Sequence, residues 1–286
     1  MKKAIAVFAH SRKGLLKDCI MSILGAHGNE DWLKVLVCQT GHTDVASVVR
    51  EYEDEFDLVM RLKPQHKTAL ANINQNRLIG TSICFDLLGS DIVLGIEEDT
   101  MIAYDALKFI DQVFLRYQSK IGFRGINLGS HEPRTTENIN TYSLLRFGLH
   151  GQAGVITSKT WRNLSIKKIR KNITTEGYDS WMEYYLKSGF MVTPNASRLL
   201  DRGWIGTHMP LDSTHPYFEK QINSWVGTTA FDIRDFVRKD VEHSWRKDAV
   251  IFKMRHSVFF FLRRIQIIYK IYSYTKKYKS NGGRNK

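Results

Sequence analysis

The chain has 286 residues, 43% of them hydrophobic and 12% aromatic, which suits one large domain with a full core and excludes a disordered or low-complexity protein. Its formal net charge of +13 is local: 12 basic residues and one acid lie in 246–286, a net +11, leaving +2 for the first 245. A near-neutral body argues against a general nucleic-acid-binding surface, no apolar run nears the roughly 18–20 residues of a membrane span, and three cysteines without CxxC spacing argue against a disulfide framework or zinc site.

Ala4 to Ala9 is a continuous apolar run, too short for a signal-peptide core and expected to be a strand buried on both faces. Leu15 to Leu24 has helical spacing, and 34–38 reads as a second strand followed by the turn Gln39-Thr40-Gly41-His42. Asp44 is a candidate N-cap for a helix over Val45 to Tyr52, and 56–60 is a third strand. A long helix is expected over Leu70 to Leu88, a strand over 91–96, a helix over Asp105 to Tyr117 and a strand over 121–127. This alternation predicts an α/β fold with a mostly parallel sheet. From Gly129 to His208 the sequence is less regular, with Gly-, Asn- and Thr-rich loops and one helix over Asp179 to Lys187.

Chemistry concentrates where the fourth strand ends in Glu97-Glu98-Asp99. In open α/β sheets ligands bind beyond the carboxyl ends of the strands. Three adjacent acids there repel one another without a cation, and Mg2+ or Mn2+ is commonly held by one or two carboxylates plus substrate phosphates. A divalent ion bridging protein and diphosphate is the sharp reading; a solvated acidic turn is the plain one.

Several segments, in order, resemble the nucleotide-sugar glycosyltransferases of the GT-A fold, and among them the N-acetylglucosaminyltransferase I family. Val7-Phe-Ala-His-Ser-Arg12 is similar to that family's first nucleotide-binding strand, and Cys38-Gln-Thr-Gly-His42 to its second strand and turn. Glu97-Glu98-Asp99 is similar to its metal motif, Tyr178-Asp179-Ser180-Trp181-Met182 to its aromatic-Asp-x-Trp-Met segment, and Pro194-Asn-Ala-Ser197-Arg198 with Arg202 to His208 to its closing elements. The resemblance implies a Rossmann-like mixed sheet flanked by helices, Asp99 as metal ligand, Glu97 and Glu98 near ribose and donor sugar, Arg12 on the nucleoside and Asp179 as catalytic base. Gln39 stands where the family has an acid that reads uracil, and Ser180 where it has a second acid.

The residues also allow plainer roles. Asp179 opens its helix and could serve as an N-cap, with Glu183 one turn on as a substitute base. Arg12 could cap a strand, His208 could ligate the metal or touch the diphosphate, and Arg198 and Arg202 could clamp phosphate or be solvated loop residues. Most of the aromatics, Phe147, Trp161, Trp181, Trp204 and Trp225 among them, are expected in the core.

In the last segment, Ile251, Met254, Val258, Phe261, Leu262, Ile265, Tyr269 and Tyr272 share one helical face, with Lys253, His256, Arg263, Arg264 and Lys270 largely opposite. A basic amphipathic helix of this kind suits an anionic membrane surface; packing on the body or on a second copy is the alternative. The expected organisation is a GT-A domain over 1–245, with a nucleotide-sugar half (1–130) and an acceptor half (131–245), then a basic tail over 246–286. The expected function is metal-dependent, inverting transfer of GlcNAc or a related hexose from a UDP-sugar, with Mn2+ or Mg2+. The acceptor would be a glycan or lipid-linked glycan of a bacterial surface polysaccharide, and the enzyme cytoplasmic and peripheral on the inner face of the cell membrane, with no nucleic-acid partner. A non-catalytic nucleotide- or glycan-binding protein with a docking tail is the rival.

Overall fold

The computed structural model describes residues 1–130, 132–145, 153–164, 173, 189–203, 216–231 and 233–241. The chain divides into a compact unit Met1–Val241 and a second unit Glu242–Lys286, which lies outside the described residues.

Strand β1 (Lys3–Ala9) is flanked in parallel by β2 (Leu33–Gln39) and β4 (Ile92–Glu97), with β3 (Leu58–Leu62) parallel beyond β2. Next to β4 the direction reverses: β8 (Ala153–Thr157) runs antiparallel to β4 and to β6 (Phe123–Asn127). Beyond β6 lie β9 (Phe190–Pro194), β7 (Thr141–Leu145) and the short β11 (Val237–Arg238), giving a nine-stranded mixed sheet among the described residues. A two-stranded antiparallel sheet joins β5 (Thr100–Ile102) to β10 (Leu199–Asp201).

Why β1 is apolar throughout follows from its neighbours. Ile5, Val7 and Ala9 enter one core cluster and Ala4, Ala6 and Phe8 the other, so both faces of the strand are covered. The first face is packed by α1 (Lys13–Leu24), α2 (Thr43–Glu51) and α4 (Ala106–Tyr117); the second by α3 (Ala69–Ser82), which continues as a π-helical turn over Ile83–Leu87. Helix α1 contributes Leu16, Cys19, Ile20 and Ile23, at the three-and-four spacing that makes one apolar face. Each fully buried Leu or Ile is worth roughly 1.5–3 kcal/mol. The expected α/β fold and mixed sheet are what the structure has.

Local differences have physical causes. Asp44 is not the cap of α2: His42 stands there with no side-chain cap bond, and Asp44 sits in the first turn, where its charge favours the helix N-terminus. Strand β3 begins at Leu58, because Glu53–Glu55 makes a 3-10 turn first. Asp105 precedes α4 without capping it; its carboxylate is engaged elsewhere. The segment read as irregular supplies strands β7, β8, β9 and β10. The helix expected over Asp179 to Lys187 and the tail helix fall outside the described residues.

Candidate active site

Strands β1 and β4 lie side by side and end together, so the turn after β1 faces the acidic end of β4. A cleft of about 230 Å³ opens there, lined by Phe8 to Arg12, by Ala69, Ile73 and Asn76 of α3, and by Glu97, Glu98 and Asp99. The three acids do different things.

Glu98 is turned inward. Its carboxylate accepts the backbone N–H groups of His10 at 2.6 Å, Ser11 at 3.0 Å and Arg12 at 3.2 Å. Burial raises its pKa, the three N–H bonds work against that rise, and the charge of Asp99 adds to it. The resemblance implies that Glu98 lies near ribose and donor sugar; in the structure it lines the cleft while both its oxygens accept from the β1–α1 turn. Glu97 pairs with Arg77 of α3 at 3.0 Å, and Arg77 also lies 5.5 Å from the centre of the Phe8 ring.

Asp99 faces the cleft although only 8% exposed. Its Oδ2 accepts from Arg12 Nη1, while its Oδ1 is buried without a hydrogen-bond partner. An orphaned carboxylate oxygen at a strand's carboxyl end is a donor suited to a hard divalent ion. The residues therefore fit Mn2+ or Mg2+, although among the described residues no group of three or more His, Cys, Asp or Glu is arranged as a metal cluster.

Asp201, which sequence reasoning passed over, stands beside Asp99. It ends β10 opposite Thr100 of β5, and Arg202 donates its backbone N–H to the Asp99 carbonyl at 2.8 Å. Helix α5 (Pro216–Ser224) holds the strand from behind through Gln221, whose side chain accepts the Asp201 N–H at 3.0 Å. Asp201 is 3% exposed, and burial first, then the charge of Asp99, pushes its pKa up to about 7, against the bond from the Gly203 N–H and the charge of Arg12. The only sequence signal was an acid a few residues after Pro194–Arg198, with no spacing that tied it to Asp99.

Arg198 corrects an expectation. It is fully buried, donates to both oxygens of Asp105 at 2.9 and 3.2 Å and to the Ala196 carbonyl at 2.8 Å, and lies 5.0 Å from the centre of the Phe236 ring. Burial lowers its pKa and Asp105 opposes the shift. Four of its five N–H groups are taken by Asp105, Ala196 and Ile139, and a guanidinium with no exposure cannot reach a phosphate in the cleft. Arg202, the other candidate, pairs with Asp18 of α1.

Gln39 ends β2, 7% exposed, with its Oε1 buried and unpartnered. It does not line the cleft beside Asp99. The two turns do meet through His10 and His42, whose rings lie 5.3 Å apart, and Gly41 makes the second turn with a positive φ of 103°. The structure thus brings together Arg12, Glu97, Glu98 and Asp99, adds Asp201, and moves Arg198 into the core. Asp179 and His208 lie outside the described residues.

No protein-family model matches the sequence, and no curated protein is found similar to it. The chain is similar in structure to Staphylococcus aureus TarS at a TM-score of 0.51 and 10% identity, over 77% of this chain and 38% of that one. TarS residues 1–349 match at 0.50 and 10%, over 78% and 71%. A mannosyltransferase from Pyrobaculum calidifontis, solved with GDP-Man and Mn2+, gives 0.47 and 13%, over 68% and 54%. The fold is of the GT-A glycosyltransferase type. The chain spans little more than a third of full TarS, and identity at this level speaks for fold alone. Nothing in these likenesses singles out the N-acetylglucosaminyltransferase I family.

Proposed function

We propose that this chain is a metal-dependent, inverting glycosyltransferase that moves GlcNAc or a related hexose from a UDP-sugar to a glycan or lipid-linked glycan acceptor of a bacterial surface polysaccharide. The observation that carries the reading is Asp99: a cleft-facing carboxylate with a buried, unpartnered oxygen at the carboxyl end of β4 in a GT-A fold. Asp99 would hold Mn2+ or Mg2+, which when bound supplies charge neutralisation for the departing diphosphate. Arg12 brings a further positive charge to the same cleft, and Glu98 fixes the turn that aims it. Phe8 and Ile73 give the cleft an apolar wall that limits water. Asp179 is proposed to take the proton of the acceptor hydroxyl, as inverting transfer requires.

Asp99→Asn is expected to lower sugar transfer about a hundredfold or more with unfolding temperature unchanged, measured as UDP release from a UDP-sugar. Unimpaired transfer in that variant would overturn the reading. Asp179→Asn should cost roughly a hundredfold to ten-thousandfold in rate while donor binding persists; retained transfer discards the base assignment.

The basic segment 246–286 is proposed to hold the enzyme on an anionic membrane at the cytoplasmic face. Each basic residue near such a surface contributes on the order of 1 kcal/mol. Vesicle co-sedimentation should show binding to anionic vesicles by the full chain and its loss after truncation at residue 245; equal binding by both forms sinks this part.

A further inference from the structure

Arg12 stands immediately before α1 and makes no side-chain cap bond to it. Its guanidinium is turned to the acids at the end of β4 instead: Nη1 donates to Asp99 Oδ2, and Nε is 4.0 Å from Glu98 Oε1. The Arg12 backbone N–H is itself held by the Glu98 carboxylate at 3.2 Å, so the fold of the turn sets the contact. Among the described residues no other cation pairs with Asp99. The Asp99 side chain is buried, whereas that of Arg12 is 27% exposed and has room to turn within the cleft.

One carboxylate is thus asked to serve two positive groups. Asp99 is the proposed holder of a divalent cation, and its Oδ2 already accepts from a guanidinium. Like charges within a few ångströms of each other, in a site partly withdrawn from water, repel with little screening. Cation binding at Asp99 therefore works against the Arg12 contact. A nucleoside diphosphate removes the conflict, because phosphate oxygens accept from a guanidinium as well as a carboxylate does and add negative charge to the same cleft.

We infer that Arg12 couples nucleotide binding to cation binding: it competes with the divalent ion for Asp99 until a diphosphate takes its guanidinium. The inference rests on the proposed metal-dependent reading and goes beyond it, by giving an arginine control over when Asp99 is open to the ion.

Mn2+ binding to the full chain, with and without UDP, followed by loss of the free-ion electron paramagnetic resonance signal, tests it without reference to turnover. Arg12→Gln should bind Mn2+ alone roughly fivefold or more tighter than wild type, and UDP should then raise its Mn2+ affinity by a smaller factor. An Arg12 that merely props Asp99 in place predicts the opposite sign, weaker Mn2+ in the variant. Arg12→Lys keeps the charge as a compact point donor and should fall between the two; it carries the test if Arg12→Gln fails to fold by circular dichroism. Lys13→Gln removes an exposed charge one residue further on and should leave Mn2+ affinity as it is. Unchanged or weaker Mn2+ binding in folded Arg12→Gln, or equal tightening in Lys13→Gln, overturns the inference and leaves the glycosyltransferase reading standing. Wild-type protein that takes up no Mn2+ with or without UDP overturns the metal-dependent reading, and the inference with it.

Discussion

Arg198 and Asp105 form an ion pair in which neither side chain is exposed at all. The energetics of such a pair are asymmetric. Forming it gains little over a well-packed apolar pair, whereas removing one partner strands a charge and costs about 3–5 kcal/mol. Arg198→Ala is therefore expected to lose about that much stability in urea titration. Joint replacement of Arg198 by Met and Asp105 by Leu should cost less than the single change, because no charge is left stranded. An Arg serving as a phosphate clamp would behave in the opposite way, with stability kept and donor affinity lost. Glu98 obeys a related logic. Its two oxygens are consumed by the backbone of 10–12, so its contribution is the shape of the turn that carries Arg12.

Among the elements, α3 does the most to shape the cleft. Thr68 caps it, accepting the Ala71 N–H at 3.3 Å, and Thr68→Ala should cost about 1 kcal/mol of stability. The helix comes unusually close to the sheet at Gly80, where a Cβ would meet Val37 Cγ2 at 2.7 Å and Phe8 Cε1 at 2.8 Å. Gly80→Ala gains up to about 1 kcal/mol in helix propensity but forces those side chains to move, typically at 1–3 kcal/mol. Net destabilisation is expected by thermal unfolding. Because Phe8 lines the cleft and carries Arg77, weaker UDP binding should accompany it. The small β5–β10 sheet matters for another reason: three residues from each strand are enough to place Asp201 beside Asp99.

Across the whole molecule the three cysteines report on the core. All are buried thiols; burial raises the pKa of Cys19 and Cys38 and pushes that of Cys84 up to about 12. A raised thiol pKa keeps the unreactive protonated form dominant at pH 8, so a disulfide reagent should label none rapidly in the native protein and all three in denaturant. Fast labelling of one thiol at pH 8 would mean that the core opens locally around it.

Periodicity and composition by themselves determined the first part of this protein, up to β4: a strand buried on both faces, amphipathic helices on either side, and an acidic end to β4. Those are local patterns, carried by residues within one turn or two strand positions of each other. The same reading separated a near-neutral body from a tail of net +11. Strands β7, β8 and β9 were not legible, because their short runs lie among Gly, Asn and Thr and gain their burial from neighbours distant in the chain. Tertiary structure alone decided the roles of three side chains. Glu98 closes on a turn 86 or more residues earlier, Arg198 is neutralised by a residue 93 positions away, and Asp201 meets Asp99 only because β10 pairs with β5. A charge in sequence declares its sign; which partner it meets, and so whether it binds a ligand or holds the fold, is set by strand pairing.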